Sequence, residues 1–157
     1  KLAAYVRQWF DLPRSPRLRI RIDDAVVAAP SLKAQFWDVV VRDIFSGGTV
    51  PDSVCTPEFM HSCMNALKSE GLFLINAASA PTSQVQAQFA ALAQISDFLV
   101  ISDAAVARGK RRGNLVLVAR KTGFSVEDFD RLSRALRKLP LPAQLYRHSD
   151  GALSRYN

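Results

Sequence analysis

Phe36-Trp37-Asp38-Val39-Val40-Val41-Arg42-Asp43 runs straight into Ile44-Phe45-Ser46-Gly47-Gly48-Thr49-Val50-Pro51, and this junction decides the fold. Three consecutive β-branched residues between polar ends read as a strand with helices over both faces, hence a central strand of a parallel sheet. The Gly-Gly pair and Pro51 mark a loop leaving the strand at its carboxyl end, where open α/β sheets bind their ligands. Asp43 stands at the hinge between strand and loop.

Toward the N-terminus, Leu18, Ile20 and Ile22 alternate with Arg19 and Arg21, the pattern of a half-exposed edge strand that ends at Asp23-Asp24. Further back, Leu2, Tyr5, Val6, Trp9 and Phe10 recur at helical spacing until Asp11-Leu12-Pro13 stops them. Toward the C-terminus, Thr56-Pro57-Glu58 reads as an N-cap, a proline in the first turn and an acid beside it. They open a helix with Phe59, Met60, Cys63, Met64 and Leu67 on one face, ended by Gly71. A strand over Leu72–Ala77 follows, then a helix over Gln84–Gln94 that buries Val85, Phe89, Leu92 and Ala93. Two more strands, Phe98–Ile101 and Leu115–Ala119, are joined by a basic turn from Gly109 to Gly113. Ser125 and Asp128 form a capping box, with Phe124 placed to staple onto Phe129, and the helix carries Leu132 and Leu136 inward until Pro140 and Pro142 break it. Residues 141–157 show no periodicity and are expected to be an irregular tail. Alternating strands and helices over 157 residues give a single α/β domain, 1–157, with a mainly parallel sheet.

Composition removes several classes of function. The longest apolar run, Leu72 to Ala80, is broken by Asn76 and Ser79 and falls short of the ~20 residues a bilayer needs, so no membrane role is expected. Cys55 and Cys63 fit neither a zinc pattern nor a disulfide framework, and His61 and His148 have no companions at metal spacing. No metal site is expected, and a reduced, cytoplasmic setting suits the thiols. The net charge of +7 raises nucleic acid as a partner. The cations fall in separate groups, Arg14 to Arg21, Lys110 to Arg112 and Arg131 to Lys138, without interleaved aromatic rings, which favours solvated faces instead. The seven glycines form no G-x-G-x-x-G, and no G-x-S-x-G elbow exists. What remains is acids at strand ends. Asp43 either faces a ligand crevice or caps its loop, and Asp23-Asp24 either contact a ligand or form a turn.

Ser15-Pro16-Arg17-Leu18-Arg19-Ile20-Arg21-Ile22-Asp23-Asp24-Ala25 resembles the segment of spermidine synthases that ends in a G-D-A triplet. Phe36 to Asp43 is similar to their Y-D-V-I-I-x-D strand, and Ile44 to Pro51 to the A-F-S-G-G-x-V-P variant of bacterial spermidine-synthase-like proteins. Thr56-Pro57-Glu58-Phe59, Gly71 to Asn76 and Gly113 to Ala119 continue the same order, so the resemblance spans Leu2 to Arg120. It implies a Rossmann-like sheet of the S-adenosylmethionine-dependent methyltransferase type and an aminopropyltransferase. Such an enzyme takes decarboxylated S-adenosylmethionine as co-substrate, binds no cofactor tightly and passes the aminopropyl group to an amine. By position, Asp43 would accept the proton of the attacking amine, Asp24 with Ala25 would contact the adenine, and Ser46 and Gly47 would lie on the acceptor side. Ser46 stands where the family has a second, diamine-holding acid, which argues against putrescine. The resemblance also places the glycine loop and the first strands ahead of Lys1. The chain is therefore expected to be a partial catalytic domain, not competent alone, that self-associates through its exposed edge. A methyltransferase-like protein on the same sheet and a noncatalytic basic binding module are the alternatives.

Overall fold

The computed structural model describes residues 2–13, 15–77, 82–140, 143–149 and 152–156. Arg14 and Pro142, named above, lie outside them. The elements are α1 (Leu2–Trp9), α2 (Ala25–Ala28), β1 (Trp37–Arg42), α3 (Pro57–Ala66), β2 (Leu67–Asn76), α4 (Thr82–Ala93), β3 (Phe98–Asp103), α5 (Ala104–Ala107), β4 (Val116–Ala119), α6 (Val126–Leu136), β5 (Ala143–Ser149) and β6 (Ala152–Arg155). The strands form one open sheet in the order β1-β2-β4-β3-β5-β6.

α3 and the strands beside it form as their sequence dictates. The Thr56 hydroxyl accepts a hydrogen bond from the Phe59 amide at 3.2 Å, and Pro57 starts the helix. Phe59, Met60, Cys63 and Met64 then go into the core. Because this helix separates them, β1 and β2 run parallel, as a crossover requires, with Arg42 beside Ile75. The link from β3 to β4 holds only the one-turn α5 and a tight basic turn, so β4 returns antiparallel and lies between β2 and β3. The sheet expected to be mainly parallel is therefore mixed.

Its two faces are covered unequally. One carries α3, α4 and α5 over Phe73, Ile75, Leu117, Phe98 and Val100. On the other, α6 lays Phe129, Leu132 and Leu136 against Leu99, Val118 and Leu145, reaching β3 to β5. α6 is anchored by the expected capping box, in which Asp128 accepts from the Ser125 amide at 3.0 Å. The guanidinium of Arg120, 2.5 Å away, adds to this, and these donors hold the Asp128 carboxyl well below the usual carboxylate range. Phe124 and Phe129 meet edge to face at 6.5 Å.

Several expectations change. β1 is an edge strand, not a central one, and Val39 and Val41 on the α6 side are 46% and 63% exposed. Unbroken β-branched character fits a bare face as well as a covered one. Leu18 to Ile22 does not pair: after a Ser15–Leu18 bridge the segment is irregular, and Ile22 is 80% exposed. Gly71 does not end α3, which stops at Ala66. It lies buried inside β2, where a Cβ would come within 3.0 Å of the Leu67 side chain and the Trp37 carbonyl. In α4, Ala91 rather than Ala93 is buried. The tail expected to be irregular adds the hairpin β5–β6 beyond β3. Its strands escape period-2 reading because Leu145 and Tyr146 are both buried, packing on opposite faces of the sheet.

Candidate functional site

The carboxyl ends of β1, β2 and β3 share one rim, since the three strands run the same way. Asp43 follows β1 there and Asn76 ends β2. The two are brought together: the Asn76 side-chain amide donates to Asp43 Oδ1 at 3.1 Å. Asp43 remains exposed rather than entering the core, and its hydrogen bond with Asn76 links it to β2.

That loop turns back on itself tightly. Ser46 and Thr49 exchange backbone hydrogen bonds at 2.8 and 3.1 Å, and the Thr49 hydroxyl donates to the Ser46 carbonyl at 3.0 Å. Gly47 and Gly48 between them have φ of 58° and 83°, the two left-handed positions of a turn that favours glycine. Ser46 and Gly47 thus stand on an exposed shelf beside Asp43.

Asp24 is used differently. Its carboxylate accepts from the Val26 amide at 2.8 Å and caps α2, while Asp23 pairs with Arg21 at 2.6 Å. The turn-forming role weighed in the sequence is therefore present. Ala25 is half-buried against the main core, and α2 packs near the 3₁₀ turn Asp52–Val54 that follows the Asp43 loop. Capping leaves Asp24 exposed at the surface of that neighbourhood.

Two rim residues escaped the sequence reading. Asp103 ends β3, caps α5 through the Ala105 and Val106 amides, and lies 3.3 Å from Arg111. The backbone donation from Ala105, with help from Val106 and Arg111, holds its carboxyl below the ordinary value. A polar residue closing the Phe98–Ile101 run was the available signal. The other is Arg42, which is 1% exposed under the rim and whose guanidinium burial pushes below its ordinary value. A single cation at a strand end gives no such signal, because most face solvent.

Chemically, the rim offers a solvent-accessible carboxylate fixed by an amide, a glycine turn with free space above it, and no competing lysine among the polar contacts of Asp43. This suits taking a proton from, or holding, a positively charged group. Cys55 and Cys63 are buried free thiols, and burial pushes Cys63 up to about 11, which makes it a poor nucleophile. A cavity of about 260 Å³ lined by Asp97, Phe98, Phe124, Phe129, Arg147 and His148 lies at the opposite rim, at the amino end of β3. A hollow lined by Arg7, Ser15, Pro16 and Leu18 is larger, at about 520 Å³, but the chemistry of strand ends favours the open Asp43 shelf.

The fold is that of the spermidine synthases and related methyltransferases. A crystal structure described as a probable spermidine synthase from Corynebacterium glutamicum ATCC 13032 superposes with a TM-score of 0.81 at 29% identity, over 99% of this chain and 60% of that one. A spermidine synthase in complex with the transition-state analogue AdoDATO gives 0.61 at 17% identity, over 99% of this chain and 50% of its own. Human methyltransferase-like protein 13 in complex with SAH gives 0.66 at 19% identity, over 89% of this chain and 68% of its own. The chain thus spans about half to two-thirds of the length of these proteins. No family model and no curated protein matches the sequence.

Proposed function

We propose that the chain carries the acceptor side of an aminopropyl-transfer site, with decarboxylated S-adenosylmethionine as co-substrate and a small amine as acceptor. The observation that carries this reading is the Asp43–Asn76 pair on the rim shared by β1 and β2, at 3.1 Å, beside the glycine turn. The spermidine synthase holding AdoDATO supports it, because that protein has the same fold.

In the proposed reaction the amine nitrogen attacks the propyl carbon bonded to the sulfonium. A C–N bond forms, the C–S bond breaks, and the sulfur keeps the electron pair as the thioether of methylthioadenosine. The nitrogen becomes cationic and gives its proton to the Asp43 carboxylate. An anion suits this position twice, since it takes the proton and offsets the charge that builds on nitrogen. Asn76 holds the carboxylate oriented by donating to Oδ1. Ser46, a neutral hydroxyl on the shelf, leaves no second anion there for a second ammonium. This disfavours a diamine such as putrescine as the acceptor. Asp24 and Ala25 lie on the adenine side. Two free thiols suit the cytoplasm, and a second copy of the chain pairing along β1 is the proposed assembly.

A methyltransferase reading is the alternative, and the human neighbour with SAH favours it. Product analysis separates them. Incubation of the complete protein with decarboxylated S-adenosylmethionine and a panel of mono- and diamines is expected to release methylthioadenosine. Release of S-adenosylhomocysteine from S-adenosylmethionine, with no methylthioadenosine, overturns the aminopropyl reading.

A further inference from the structure

We propose that Arg42 is a positioning residue, a buried guanidinium that ties the carboxyl rim to α4 from beneath and so holds Asp43, Asn76 and the glycine turn in one arrangement. Only the catalytic arm of the test below rests on the reading of Asp43 given above.

Arg42 shares the helix-covered face of β1 with Val40, one residue before the exposed Asp43. Its Nη2 donates to the Asn76 carbonyl at 3.1 Å and to Gln88 Oε1 at 2.5 Å. Nη1 reaches the Val54 carbonyl at 3.5 Å and Cys55 Sγ at 3.7 Å. All four acceptors are neutral, and Nε has none. The Asp43 carboxylate acts on this guanidinium only at a distance and does not offset its burial, so the cation is unfavourable here and an apolar side chain of similar volume would fill the space with less penalty. Packing therefore does not account for an arginine here. What distinguishes the site is where the hydrogen bonds go. Gln88, itself fully buried, donates to the Ala77 carbonyl at 3.4 Å and the Gln84 carbonyl at 3.3 Å. Gln84 in turn donates to the Val50 carbonyl at 2.5 Å. The network joins the end of β2, the end of the glycine loop, the 3₁₀ turn after it and α4. Those are the segments that flank Asp43.

Hydrogen exchange by NMR on the full chain tests this. Arg42→Met keeps the volume and removes the charge and its donors. The expected result is a melting temperature unchanged or raised, together with exchange about tenfold faster at the Ser46, Cys55 and Ala77 amides and unchanged protection in β3 and β4. Wild-type exchange at the rim overturns the proposal, because a packing role alone predicts it. Should Arg42→Met fail to fold, Gln88→Leu leaves the arginine in place and cuts its link to α4. Faster rim exchange there supports the proposal, and unchanged exchange overturns it. In a transfer assay, kcat should fall about tenfold with KM nearly constant, and Arg42→Lys should regain part of the loss. A rise in KM with kcat unchanged counts against positioning. Altered rim exchange, with no transfer activity in the complete protein, upholds the positioning role and counts only against the aminopropyl reading.

Discussion

Between β3 and β5 both faces of the sheet are covered, by α4 and α5 on one side and by Phe129, Leu132 and Leu136 of α6 on the other. At β1 one face is covered and the other is not: Val40 and Arg42 go inward, while Val39 and Val41 stand in solvent and the strand's outer edge is unpaired. The candidate site lies on the less covered flank. The difference separates two jobs within 157 residues. The covered flank buries apolar groups on both faces of the sheet, and the open flank presents exposed polar groups at its rim.

The sharpest way to break this division is Asp43→Asn. Asparagine keeps the shape and serves a turn equally well, but it cannot take a proton, so transfer by the complete protein should fall ~10²- to 10⁴-fold while thermal unfolding stays as in wild type. Wild-type turnover would show that Asp43 only shapes its loop. On the covered flank the reverse is expected. Phe129→Ala opens a cavity under α6 and should cost about 3–5 kcal/mol in denaturant unfolding, whereas Val41→Ala on the bare face should stay within about 0.5 kcal/mol. Equal losses at the two positions would erase the contrast.

The bare edge itself leads to a third expectation. Exposed strand edges recruit further strands, so light scattering should show mass rising with concentration, and replacing Val39 and Val41 by lysine should abolish the rise. A monodisperse monomer at every concentration would count against pairing along β1. The smallest effect concerns acid. The Asp128 carboxyl is held below its ordinary value by donation from the Ser125 amide, then Arg120, so its folded pKa lies under its unfolded one. Its contribution to stability is thus present above about pH 4 and is lost as pH falls through the folded value. Asp128→Asn should therefore flatten the acid limb of a melting-temperature profile, and an unchanged limb would contradict that role.

Much of this was legible before the structure. The cap at Thr56 and the capping box at Ser125 were readable because each uses a short, local hydrogen-bond pattern. That Asp43 and Asn76 end on one rim follows from the helix between their two strands and the parallel crossover it imposes, whereas the hydrogen bond between them shows only in the structure. The edge position of β1 was not legible, since composition reports apolar character but not whether a neighbour covers it. β5 was hidden for the opposite reason, because burial on both faces removes alternation. α5 is a four-residue helix, too short for periodicity, and it took Asp103 out of view as a loop residue. At the site, Asp43 was visible through its place after a strand, and Ser46 only through the resemblance to spermidine synthases. Arg42 was not, because only three-dimensional packing shows that its charge is enclosed.

The turn beside Asp43 has a handedness. Gly47 and Gly48 take positive φ, and an added Cβ on either would meet nothing within 4 Å. Space therefore places no restriction on these residues, and chirality alone does. An L-alanine at Gly48 is opposed by the backbone, whereas a D-alanine, for which positive φ is the ordinary region, would fit without moving any neighbour. The shelf next to the carboxylate can thus carry a mirror-image side chain introduced by peptide ligation, a probe that reports on whatever approaches Asp43 while leaving the loop's course as it is.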